Sequence, residues 1–122
     1  MRLGSKEIPK SLEPILIRIR DRVRDLIKQY KSLARWGRPY FFSLEEVATV
    51  VWLNEKLGVS LDRLSKFLGV DKTSLYKVMK RIEEGRVSYY DPDQRKVITE
   101  QKTKQDLIAL IEEKLGSSAK AR

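Results

Sequence analysis

The chain has no cysteine and no histidine. Their absence removes disulfides, thiolate zinc sites, imidazole metal ligands, serine–histidine dyads and cysteine nucleophiles together. No run approaches the roughly 20 apolar residues of a membrane span. Residues 1–10 lack the apolar stretch of a secretory signal, so a soluble, cytoplasmic protein without membrane contact is expected. None of the six glycines lies in a phosphate loop, a dinucleotide fingerprint or a nucleophile elbow. What remains for catalysis is carboxylate, lysine, serine or tyrosine chemistry, and Tyr89 or Tyr90 as a nucleophile would have no histidine to activate it. A non-enzymatic role is expected, with no metal, no cofactor and no small-molecule ligand. Asparagine is scarce as well. Asn54 stands alone in a chain that is 35% charged, a bias shared with thermophilic proteins.

What is present is positive charge and helical periodicity. Lysine and arginine number 26 against 17 acids, a formal charge of +9 with a pI near 9.9, which draws polyanions. At 122 residues there is room for one modest core. Leu12, Leu16, Ile19, Val23, Leu26, Tyr30 and Leu33 alternate four and three apart, the stripe of a heptad helix that wants an apolar partner. Ser11 is its expected cap, and Pro14 falls in the first turn, where its missing N–H costs nothing. Arg18 with Asp21, Arg22 with Asp25 and Asp25 with Lys28 offer ion pairs three apart. The stripe is expected to pair two copies into a homodimer, the alternative being packing within the chain, and a C-terminal helix offers a second candidate interface.

Gly37 and Pro39 break this helix. Trp36, Tyr40 and Phe41 beside Arg35 and Arg38 offer a basic aromatic surface there, although aromatics at a junction are more often core. Ser43 and Glu46 then form a capping box, with Phe42 and Val47 as hydrophobic staple and Gly58 as stop, over about 44–57. The punctuation recurs: Ser60 caps a helix ending at Gly69, and Asp71 caps one ending at Gly85, with Val59–Leu64 and Val70–Leu75 as staples. Beyond Gly85 the period changes to that of strands around Asp91-Pro92-Asp93-Gln94, which predicts a β-hairpin over 86–99. A last amphipathic helix is expected from Thr103 to Leu115, with Leu107, Ile108, Ile111 and Leu115 on one face, stopped by Gly116 and followed by a disordered tail.

Residues 61–80 resemble the helix-turn-helix DNA-binding superfamily. Leu64, Leu68, Val70, Leu75 and Val78 stand where that superfamily packs two helices at a steep angle. Ser65 is the small residue at their approach, and Gly69 lies in the turn. The fold class implied is mainly α: a helix-turn-helix core over 35–102 with a small β-hairpin wing, plus long amphipathic helices at the N-terminus (1–34) and C-terminus (103–122). The helix from Lys72 supports the resemblance independently, because its polar face carries Lys72, Lys77, Lys80 and Arg81 with no acid before Glu83. The resemblance implies Lys72, Thr73, Tyr76 and Lys77 as base readers in the major groove, with Ser74, Lys80 and Arg81 on phosphates. Arg95 and Lys96 in the wing would add contacts, against the acids Asp91 and Asp93 in the same turn. The function expected is sequence-specific binding of double-stranded DNA, as a transcriptional regulator or a plasmid or virus partition or replication factor. The alternatives are the DNA-binding part of a recombinase or transposase and a protein-interaction adaptor.

Overall fold

In the computed structural model of the chain the described residues are 1–29 and 42–120, the side chains of 29 and 117–120 excepted. Tyr30 and Leu33 of the apolar stripe, and Arg35, Trp36, Arg38, Tyr40 and Phe41 of the junction, lie outside them. Among the described residues nine elements follow in order: β1 (Arg2–Leu3), β2 (Lys6–Glu7), α1 (Glu13–Gln29), α2 (Leu44–Glu55), α3 (Leu61–Leu68), α4 (Lys72–Glu83), β3 (Arg86–Asp91), β4 (Lys96–Gln101) and α5 (Lys104–Lys120). The fold is mainly helical with two small antiparallel sheets, β1–β2 and β3–β4. Among the described residues no helix is long and apolar enough to cross a membrane.

Local chemistry sets the helix ends. Ser43 Oγ accepts from the Glu46 N–H at 3.3 Å, and the Glu46 carboxylate accepts from the Ser43 N–H at 3.0 Å, closing the predicted capping box. Ser60 Oγ accepts from the Arg63 N–H at 3.1 Å. Asp71 occupies its cap position without a side-chain capping bond, contrary to the expectation. Asn54 Nδ2 donates to the Val59 carbonyl at 2.9 Å and ties down the α2–α3 turn. Gly69 closes α3 with φ +77°, a left-handed conformation that a Cβ penalises. At α1 the first helical bond runs from the Leu16 N–H to the Leu12 carbonyl, so Leu12 rather than Ser11 stands at the cap.

The core joins all the helices. Leu12, Leu16 and Ile19 of the stripe are fully buried and Val23 nearly so, packed with Leu53, Leu64, Leu68, Leu75 and Ile82 of the same chain. Each such side chain contributes about 1.5–3 kcal/mol by leaving water. The expected dimer through these four residues is therefore corrected, since α1 buries them against α2 and α3 of its own chain; Leu26 of the stripe is half-buried. Arg20 lies over the Phe67 ring, Cζ to centroid 5.0 Å, where α1 crosses α3. The expected intrahelical pairs are replaced too. Arg18 reaches Glu45 and Glu46, and Arg22 reaches Glu46, because packing brings the start of α2 against this face of α1. Asp21 pairs with Arg24 instead.

α5 runs antiparallel along α2, with Lys104 on Glu55 at 2.8 Å and Lys114 on Glu45 at 3.5 Å. Leu107, Ile108 and Ile111 bury the predicted face. Gly116 does not end the helix, which runs on to Lys120. No left-handed residue occurs there, and the segment expected as a disordered tail is helical through 120. The β1–β2 pair was not expected. Its strands are two residues each, too short to carry a pattern, and Leu3 and Ile8 anchor it in the core.

Candidate nucleic-acid interface

α4 presents two unlike faces. Leu75, Val78, Met79 and Ile82 are buried, and Ser74, 7% exposed, lies among them. The expected phosphate contact by Ser74 is thus corrected: one helical step from Leu75, at about 100° per residue, keeps it on the core side. Lys72, Thr73, Tyr76, Lys77, Lys80 and Arg81 are exposed, with Tyr76 at 53%. Lys72 Nζ stands 5.7 Å from the Tyr76 ring centroid, so the first turn displays an aromatic and a cation side by side.

The acid-free stretch acquires an acid in three dimensions. Asp62 of α3 pairs with Lys66 at 3.2 Å and with Lys72 at 3.5 Å. Its hydrogen bond with Lys66 leads in holding the carboxyl below its ordinary range, so it stays ionised and partly neutralises Lys72. Lys77 and Lys80 have no carboxylate partner among the described residues. The Asp62–Lys66 spacing of four was readable as a helical pair; its reach to Lys72 depends on how α3 meets α4.

The β3–β4 hairpin sits beside the end of α4. Arg81 Nη1 donates to Ser88 Oγ at 3.4 Å, and Ser88 Oγ shares a hydrogen bond of 2.9 Å with Thr99 Oγ1. Opposite residues run from Arg86 and Gln101 to Asp91 and Lys96, and β3 gains a further backbone bond from the Tyr90 N–H to the Phe42 carbonyl at 2.8 Å. At the tip Asp91 Oδ1 accepts from the Asp93 N–H at 2.9 Å, and Arg95 adopts φ +54°, uncommon for a residue with a side chain. Arg95 and Lys96 are exposed without an ion pair among the described residues. Asp91 and Asp93 lie in the same turn, as the sequence implied.

The cations of the other side are paired: Lys56 with Glu112, Lys102 with Glu100, Lys104 with Glu55 and Glu83, and Lys114 with Glu45. A paired cation must give up its carboxylate before it can meet a phosphate, whereas Lys77, Lys80, Arg95 and Lys96 have only water to lose. The arrangement offers a ridge, α4, flanked by a hairpin and carrying uncommitted positive charge.

Tyr89, one of the two tyrosines weighed as a nucleophile, is engaged with an acid. Tyr89 Oη donates to Glu100 at 2.7 Å. That hydrogen bond first, and burial second, push its phenol up to about 12, the reverse of what a nucleophilic tyrosine requires. Among the described residues no group of three or more acidic side chains is placed to hold a metal ion. Periodicity did not single out Lys66 of α3, which shares Asp62 with Lys72, nor Arg63 of α3 and Lys6 of β2, which stand beside the Gly4 turn and Gly58, because spacing along the chain does not reveal these approaches. The chain matches no family model, no curated protein and no solved structure with which it was compared, so what it does must be read from its own geometry.

Proposed function

We propose that this chain binds double-stranded DNA sequence-specifically, with α3, the Gly69 turn and α4 acting as a helix-turn-helix and β3–β4 as its wing. The observation that carries this is the division of charge: Lys77, Lys80 and Arg81 of α4 and Arg95 and Lys96 of the hairpin tip lack carboxylate partners among the described residues, whereas Lys104 and Lys114 of α5 have them. A helix about 10–12 Å across matches the B-form major groove. Thr73, Tyr76 and Lys77 on the exposed face of its first turns would meet base edges, and Lys80 and Arg81 would lie on phosphates. Lys72 joins them on release from Asp62. Arg95 and Lys96 would touch the flanking backbone. In the cell such a chain serves as a transcriptional regulator or as a plasmid or virus partition or replication factor. Pairing of two copies on a palindromic site would have to use a surface other than Leu12, Leu16, Ile19 and Val23.

Selection of bound sites from random duplexes tests the proposal, followed by titration of the selected site across a salt series. Each phosphate neutralised contributes about −0.9 to the log–log slope. A steep salt dependence and a recoverable consensus are expected. A flat salt response would leave the helices to a protein partner, as in an adaptor.

A further inference from the structure

The β1–β2 hairpin brings two more uncommitted cations to the α3 side of this surface. At its turn Gly4 has φ +63°, and a β-carbon built there would stand 2.7 Å from Arg63 Nε and 3.0 Å from Arg63 Cζ. The Arg63 side chain of α3 therefore lies against the turn of the hairpin. Lys6 of β2 reaches over the α2–α3 turn, its Nζ 3.7 Å from where a β-carbon on Gly58 would be. Both side chains are exposed, and neither pairs with a carboxylate among the described residues. Arg2, by contrast, is tied to Glu7 at 3.0 Å. Arg63 is the next residue in α3 after Asp62, which bridges Lys66 and, on α4, Lys72.

We propose that the β1–β2 hairpin and α3 form a second phosphate-binding surface, in which Arg63 and Lys6 hold the sugar-phosphate backbone of duplex DNA beside the stretch met by α4. The inference rests on the DNA-binding reading and adds to it a part of the chain that the helix-turn-helix resemblance does not include. A guanidinium without a carboxylate partner has only water to lose when it meets a phosphate, and its planar donors match phosphate oxygens. Phosphate contacts carry no sequence information. Their loss should weaken all duplexes alike.

The test is a fluorescence-anisotropy titration of the full chain with a selected duplex and with a random duplex of equal length, repeated across a potassium chloride series. Lys6→Gln together with Arg63→Gln should reduce the salt slope by about 1.8, at about 0.9 per contact, and weaken both duplexes by the same factor. Arg63→Lys should keep most of the slope. Lys114→Gln, which removes one charge from the paired side, should leave the slope as in the wild type. Lys6→Gln alone, on an exposed strand, should cost about 0.9 and covers the case in which the double variant is unstable. A wild type that binds steeply while the Lys6 and Arg63 variants keep its slope overturns the second surface and leaves the α4 reading standing. An equal fall in Lys114→Gln also overturns it, by reducing the effect to net charge. A wild type that binds neither duplex removes the DNA reading and this inference with it.

Discussion

Replacing Glu46 by alanine would remove the acceptor on which the arginines of α1 and the Ser43 N–H converge. The side chain is 1% exposed. It accepts from Arg18 Nε at 2.9 Å, from Arg22 Nη1 at 3.1 Å and from the Ser43 N–H at 3.0 Å, with Arg22 Nη2 as a further donor. Breaking a buried ion pair from one side costs about 3–5 kcal/mol. Here Arg18 is 51% and Arg22 34% exposed, so both can turn to water, and the lower end of that range, about 3 kcal/mol, applies. Losing its half of the capping box adds about 1 kcal/mol. The total of about 4 kcal/mol should lower the melting temperature by roughly 10–20 °C for a chain of this size. Glu46→Gln keeps an oxygen for Ser43 and should recover about 1 kcal/mol of the loss. Acid supplies a second signature. Burial pushes the Glu46 carboxyl up, but hydrogen bonds from Arg22, the Ser43 N–H and Arg18 outweigh it, and the net shift is below the ordinary value of 4.5. With the folded value the lower one, the stabilisation is complete above about pH 4.5 and is lost as the pH falls through the folded value. The gap between wild type and Glu46→Gln should therefore close in acid. Circular-dichroism melts from neutral pH into acid decide it. An alanine variant within about 1 kcal/mol of wild type, or a gap that stays constant into acid, would refute the account.

Lys77→Ala should weaken a selected duplex by about 1–3 kcal/mol if Lys77 meets a base, and a random duplex by less; equal losses would move it to the backbone. Asp62→Asn should strengthen duplex binding several-fold, since it frees Lys66 and Lys72 at once, and an unchanged or weaker affinity counts against a DNA-facing Lys72. Val23→Glu places a carboxylate in the shared core and should cost several kcal/mol, unfolding the chain rather than yielding a folded monomer from a dimer; sedimentation with melting curves separates these outcomes. Gly69→Ala, at φ +77° with only ordinary contact to Val23, should cost about 1–2 kcal/mol from backbone strain alone, and an unchanged melting temperature would contradict the left-handed turn.

Chemistry confined to one or two turns of chain was legible in the sequence. The Ser43–Glu46 box, the Gly58, Gly69 and Gly85 turns and the β3–β4 pairing all rest on near neighbours. Where a choice depended on packing, it was not. Arg18 and Arg22 had acids three residues away, yet the approach of α2 offered them Glu46, whose burial and additional donors make it the stronger acceptor. Ser74 failed by one helical step. Gly116 was read as a stop because glycine permits the left-handed turn, but permission is not a requirement, and α5 continues through it. In the candidate site the exposed residues of α4 could be named from periodicity, whereas Asp62 beside Lys72 and Arg63 beneath Gly4 exist only once α3, α4 and the N-terminal hairpin are assembled.

If the chain binds duplex DNA as proposed, the burial of Leu12, Leu16, Ile19 and Val23 changes how a single copy would reach enough of it. A helix-turn-helix alone spans few base pairs, and a dimer through that stripe would have doubled the contact. With Leu12, Leu16, Ile19 and Val23 inside the core, α1 instead holds up the α3–α4 pair, packing Val23 near the Gly69 turn and Arg20 over Phe67. Any enlargement of the contact within one chain must come from elements flanking α4. Two are in place: the β3–β4 hairpin, joined to Arg81 through Ser88, and the β1–β2 hairpin, joined to α3 through Gly4 and Arg63. Both are short antiparallel pairs anchored by one or two buried residues, Val87 in one and Leu3 with Ile8 in the other. That leaves Arg95 and Lys96 at one tip and Lys6 at the other exposed to solvent or to phosphate. On this geometry a single chain bound to a duplex would hold the backbone on either side of α4, and a second copy would extend the site rather than complete it.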